Sequence, residues 1–138
     1  MRPTYESPDD LAAEQEVADI IARRWSVDPV KMPMRFRIDY ALFRDHDRLV
    51  AWAEVRCRSV SLDRYPTCIL SVSKVKAGLR LAEAHCVPFL FIVRWTDAIG
   101  WIRPSLDLET GVCGRWDRND PADRDQVVIM PINQFKLL

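Results

Sequence analysis

The chain has 138 residues, enough for one domain with a substantial core and too few for two of ordinary size. Hydrophobic residues make up 49% and charged residues 29%, the composition of an ordinary globule, and no repeat or low-complexity tract interrupts it. Lysine plus arginine and aspartate plus glutamate number 20 each, so the chain is not globally basic; any nucleic-acid surface has to be a local patch.

Ser7-Pro8-Asp9-Asp10 reads as a helix start, with acids near the positive end of the dipole, and predicts a helix over about Leu11 to Trp25. Pro29 and Pro33 break the segment after it. Arg35 to Phe43 alternates, with Phe36, Ile38, Tyr40 and Leu42 on one face and Arg37, Asp39 and Ala41 on the other. The polar run Arg44 to Arg48 is a turn. Leu49 to Cys57 alternates again, with Ala51, Ala53, Val55 and Cys57 on one face and Val50, Trp52, Glu54 and Arg56 on the other. Together they form a hairpin signal. Ser59 to Pro66 reads as a loop, and a helix is expected from about Ile69 to His85, striped by Val72, Val75, Leu79, Ala82 and Cys86. Val87 to Trp95 is a buried strand, and Trp101 to Arg103 a short one. Leu106 to Arg124 reads as irregular. Val127 to Ile132 is a last strand, with Pro131 hinting at an edge. The expected result is an α/β fold with a mixed sheet and helices packed on it.

The four cysteines, Cys57, Cys68, Cys86 and Cys113, form no C-x-x-C pair, and His46 and His85 are the only histidines, which argues against structural zinc. Free thiols in a cytoplasmic protein are the plainer reading. Met1 to Asp10 lacks a signal core, and the longest apolar run, Val87 to Val93, is too short to span a bilayer. His46, flanked by Asp45 and Asp47, reads as a solvated turn residue.

Asp39 and Glu54 lie on opposite arms of the hairpin. With the turn centred near His46, Asp39 falls opposite about Ala53, and Glu54 is a cross-strand or diagonal neighbour. Arg56 shares the face of Glu54 because strand side chains repeat every second residue. Two close carboxylates repel unless a cation sits between them, and such an oxygen-rich pair suits Mg²⁺. The same spacing also fits a solvated strand face with a Glu–Arg pair. On a helical wheel, Glu14 falls in the middle of the apolar face formed by Leu11, Val17, Ala18, Ile21 and Trp25, whereas Glu16 falls on the far side. An acid there needs a metal or a partner; an arginine across the core edge would also serve. Arg35, Arg37, Arg56, Arg58 and Arg64 cluster in sequence around the site and suit either phosphate contacts or plain solvation. Trp25, Trp52 and Trp95 sit in apolar contexts and read as core.

Ile38-Asp39-Tyr40, a spacer, and Ala53-Glu54-Val55-Arg56-Cys57-Arg58 resemble the D…(D/E)-x-K signature of the PD-(D/E)XK nucleases, in the flavour of small bacterial or phage nuclease-like proteins. The resemblance covers roughly Leu11 to Ile102. It implies a restriction-endonuclease-like core in αβββαβ order over a single domain, residues 1–138. It also implies metal ligands at Asp39, Glu54 and the carbonyl of Val55, with Glu14 as the auxiliary acid, and Mg²⁺ or Mn²⁺ as the ion. DNA is the implied partner, and such folds often pair as homodimers to address two strands. The signature lysine position holds Arg56, which effectively never deprotonates. Lys74 on the next helix is the substitute that the resemblance allows, with Lys76 behind it. Three functions suit these residues: a metal-dependent nuclease, a degenerate nuclease fold that binds nucleic acid or a protein without cleaving, and a small α/β accessory subunit without metal.

Overall fold

The computed structural model describes residues 8–114 and 124–138. Helix α1 spans Pro8–Trp25. Asp9 and Asp10 lie in its first turn and Arg23 and Arg24 in its last, each complementing the helix dipole. The expected start at Ser7 lies outside the described residues. The helix ends where Ser26 turns left-handed at φ 53°.

A short strand, β1, lies at Asp28–Lys31, where the sequence suggested only breaks. It forms one edge of the large sheet, where a proline such as Pro29 is tolerated. Strands β2 (Tyr40–Arg44) and β3 (Arg48–Cys57) form the expected hairpin, closed by Asp45 and His46 at φ 55° and 71°. β2 starts later than its sequence alternation suggests, because residues 34–39 turn away before pairing.

The helix expected from Ile69 begins later. Thr67–Ser71 is strand β4, in which Ile69 and Leu70 pair with Ile129 and Val128, and α2 spans Val72–His85. The Ser71 hydroxyl sets that start by accepting from the Lys74 backbone N–H. Cys86, left-handed at φ 55°, ends it. Strands β5 (Phe89–Arg94) and β6 (Ile99–Ile102) match the expected positions within a few residues. The stretch read as irregular contains β7 (Thr110–Gly114), and the rest of it, residues 115–123, lies outside the described residues. β8 (Arg124–Pro131) and β9 (Lys136–Leu137) complete the chain. Pro131 does not mark an edge strand: it is the last residue of β8, the middle strand of its sheet.

The large sheet runs β1-β2-β3-β5-β6-β9 and is mixed, with β3 and β5 parallel and the other pairs antiparallel. The expected αβββαβ order is present, with β4 inserted before α2. On one face, Val17, Ala18 and Ile21 of α1 pack on Tyr40, Leu42, Ala51, Ala53, Val55, Leu90 and Ile92. On the other, Trp52, Phe89, Phe91 and Val93 pack with Val75 of α2. Cys68, Leu70, Val128 and Met130 of the small sheet β4-β8-β7 join that same core. Gly78 lets α2 sit directly on the Phe89 ring; an added Cβ there would collide with the ring. Among the described residues no helix is long and apolar enough to cross a membrane.

Candidate active site

The hairpin register brings Asp39 and Glu54 together. Near the turn the strands pair Arg44↔Arg48 and Phe43↔Leu49, which would carry Asp39 to Ala53. A bulge between Leu42 and Phe43 shifts the pairing by one residue, to Leu42↔Ala51 and Tyr40↔Ala53. Continued one step further, that register sets Asp39 against Glu54. β3 also outruns its neighbours. β1 and β2 end at the pair Lys31↔Tyr40, while β3 continues from Glu54 to Cys57 with only β5 beside it. The uncovered flank of β3 is therefore a cleft, of about 370 Å³, lined by Asp10, Glu14, Asp39, Glu54, Val55, Arg56, Cys57 and Lys74.

Backbone groups hold the two acids in place. The Asp39 N–H donates to Glu54 Oε1 at 3.2 Å, and the Val55 N–H donates to Asp39 Oδ2 at 3.0 Å. Asp39 thus caps a backbone donor that a longer β2 would have taken up. Glu54 is 3% exposed and is the one charged residue in the core of the described residues. Burial, then the nearby Asp39 charge, push its carboxyl up from an ordinary 4.5 to about 7, against the opposing pull of Lys74 and Arg56.

Cations reach the acids from both faces of the sheet. Lys74 Nζ, from α2, lies 3.2 Å from Glu54 Oε2 and donates to the Arg37 carbonyl at 2.6 Å. Lys31 Nζ, from the end of β1, lies 2.9 Å from Glu14 Oε2 and 3.5 Å from Asp39 Oδ1, and it also sits over the Tyr40 ring. Glu14 therefore points at this patch, as its wheel position predicts. Glu16 lies elsewhere, paired with Arg94. Sequence reading missed Lys31 because the flanking prolines masked the strand that carries it, and it missed Asp10, one helical turn before Glu14. Arg56 lines the cleft but is exposed, so of the two candidate cations it is Lys74 that contacts Glu54. Lys76 lies off the cleft, with Arg35 and Arg37, in a neighbouring groove. Arg58 and Arg64 line neither, and Arg64 sits over the Tyr65 ring instead.

No three carboxylate, histidine or cysteine side chains among the described residues converge closely enough to hold an ion by themselves. The donors present are those of a Mg²⁺-type site, which takes one or two carboxylates and retains several waters. Asp39 and Glu54 supply hard oxygens on the wall of an open cleft, and burial together with the Asp39 charge leaves the Glu54 carboxylate poorly compensated. A divalent cation fits that donor set.

Comparison with known proteins bears on the family and the fold. A family model described as "Phage putative PDDEXK endonuclease" matches residues 1–138. No curated protein matches the chain. Among solved structures, the fold is similar to D212, a nuclease from a fusselovirus, with TM-score 0.53 and 16% identity over 97% of this chain and 90% of that one. It is also similar to Hjc, a Holliday junction resolvase from Archaeoglobus fulgidus, with TM-score 0.51 and 12% identity over 85% of this chain and 84% of that one. With the expected α/β core in place and the family model spanning its whole length, the chain belongs to the phage PDDEXK endonuclease family of nucleases.

Proposed function

We propose that the chain, acting as one domain, is a metal-dependent phosphodiesterase that cleaves DNA at the Asp39–Glu54 cleft. The observation that carries this reading is the pairing of Asp39 and Glu54 on one open patch of β3, with Lys74 on Glu54. Asp39, Glu54 and the carbonyl of Val55 would hold Mg²⁺ or Mn²⁺, and Glu14 would complete the acid lining beyond Lys31. When bound, the ion polarises the phosphate and lowers the pKa of water. Lys74, held between Glu54 and the Arg37 carbonyl, orients the attacking water and offers a proton donor beside the reacting phosphate. Arg56 faces the same cleft and stabilises negative charge that builds on the phosphate oxygens. DNA as substrate class draws support from the nuclease family and from the resolvase and viral nuclease of similar fold.

The test is nicking of duplex, branched and single-stranded DNA with Mg²⁺ and with Mn²⁺. Asp39→Ala should abolish metal-dependent cleavage while the fold survives. Lys74→Ala should lower the rate by roughly 10²-fold, the usual scale for a general acid or base, and Arg56→Lys should leave activity equal or higher. Equal residual cleavage by wild type and Asp39→Ala would sink the reading. One observation favours a second reading, a nuclease fold that binds nucleic acid without cutting: the signature lysine position holds Arg56. No cleavage by wild type, with nicking gained in Arg56→Lys, would select it. An accessory subunit without metal would show neither metal binding nor cleavage in any variant.

A further inference from the structure

Beside the acid cleft lies a second concavity, of about 500 Å³, lined by Arg35, Phe36, Arg37, Ser73, Lys76, Ala77, Arg80 and Leu81. Four of these residues are cations and none is an acid, in a chain whose net charge is zero. Among the described residues, none of the four lies within ion-pair distance of a carboxylate, and all four are exposed. Sorting of this kind in a neutral protein gives a local positive field, which attracts a polyanion. The groove adjoins the cleft: segment 35–37 leads directly into Asp39, and the Arg37 carbonyl accepts from Lys74.

Phe36 narrows the choice of polyanion. Its ring stacks on Trp52 with centroids 5.8 Å apart and planes 24° apart, yet the residue remains 39% exposed between two arginines. A large apolar ring presented to water among cations is a stacking platform for a base, and a base inside an intact duplex cannot reach it. Lys74 to Arg80 spans roughly 9 Å of helix at ~1.5 Å per residue. At ~3.4 Å per nucleotide of stacked strand, that is the length of two or three nucleotides.

We propose that this groove binds an unpaired DNA strand next to the scissile phosphate, with Arg35, Arg37, Lys76 and Arg80 on its phosphates and Phe36 stacked on one base. The proposal names the substrate of the nuclease reading above and rests on it for the position of the scissile phosphate. It makes the preferred substrate a single strand, or the unpaired arm of a fork or branch, over blunt duplex.

The experiment is fluorescence anisotropy of labelled single-stranded, forked and blunt duplex DNA, and of single-stranded RNA, in EDTA so that no cleavage occurs. Wild type should bind the single-stranded and forked DNA more tightly than duplex. Arg80→Glu and Arg35→Glu should each weaken binding of all DNAs by roughly tenfold and flatten its salt dependence. Phe36→Leu keeps apolar cover over Trp52 but removes the ring; it should lose roughly tenfold on unpaired DNA and nothing on duplex, and Phe36→Tyr should restore the preference. Wild-type affinity in Arg80→Glu or Phe36→Leu overturns the proposal, as does equal loss on duplex in Phe36→Leu or tighter binding of RNA than of DNA. Groove-dependent binding without any metal-dependent cleavage would reject the nuclease and keep the groove. Asp39-dependent cleavage with unaltered binding in the groove variants would do the reverse.

Discussion

A carboxylate at the position of Glu54 is an unfavourable core residue until something compensates it. At 3% exposure it has lost most of its water, Asp39 repels it, and Lys74 offsets only part of the penalty. Below pH 4.5 both the folded and the unfolded chain hold its proton. Between about 4.5 and about 7 the unfolded chain releases it while the folded chain keeps it, so stability falls as pH rises through that window and the penalty is complete above it. At about 1.4 kcal/mol per tenfold change in proton affinity, the penalty is on the order of 3 kcal/mol. In EDTA, Glu54→Gln should therefore melt close to wild type near pH 4.5 and well above it at pH 8. Parallel melting curves across that range would refute the burial argument. Strand alternation and the helical wheel pointed to Asp39, Glu54 and Glu14 as neighbours, whereas Lys74 entered only through the family resemblance. Lys31 was not legible in the sequence, since its strand is a short edge piece that itself contains Pro29. Nor could the direct opposition of Asp39 and Glu54 be read, because it depends on a bulge between Leu42 and Phe43 that no residue there announces.

At the scale of elements, periodicity located α1 and the β2–β3 hairpin, while a continuous apolar run located β5 and the turn before Trp101 located β6. It failed where tertiary pairing overrode local pattern. Ile69 and Leu70 were expected to open α2, yet they pair with β8, and the Ser71 cap starts the helix after them. β7, with two glycines among its five residues, carries too few apolar side chains to show alternation. The placement of α2 matters for the site, because Lys74 stands one turn before Gly78 on the same helix. Gly78→Ala illustrates two opposing effects. Helix propensity favours alanine by about 1 kcal/mol, but the new methyl enters the Phe89 ring and overpacking costs about 1–3 kcal/mol. We expect a net lower melting temperature together with slower cleavage, as α2 is pushed off the sheet and Lys74 off Glu54. Gly78→Ala combined with Phe89→Leu should recover much of both. A Gly78→Ala protein more stable than wild type would mean that the ring yields without moving the helix.

Over the whole molecule, the cleft is where separate layers meet: Glu14 comes from the helix on one face of the sheet, Lys74 from the helix on the other, Lys31 and Glu54 from the sheet between them, and Asp39 from the residue just before β2. Lys31 closes this arrangement by bridging Glu14 and Asp39 at 2.9 and 3.5 Å. Its ammonium supplies a single positive charge at the carboxylates proposed to receive a divalent ion, so an ion bound there would compete with the lysine for Asp39. The competition should be visible in the stability of the entire fold, because an ion that binds only the folded chain raises its stability, by about 2.7 kcal/mol at a hundredfold excess over its Kd. Melting followed through a Mn²⁺ titration at pH 8 should show a rise for wild type. Lys31→Met should start from a lower metal-free melting temperature, having removed the ammonium that bridges Glu14 and Asp39, and should then rise further at lower Mn²⁺ concentration. Asp39→Asn should show almost no rise. If Lys31→Met loses stability but its metal midpoint stays at the wild-type value, Lys31 braces the edge of the sheet without contesting the ion.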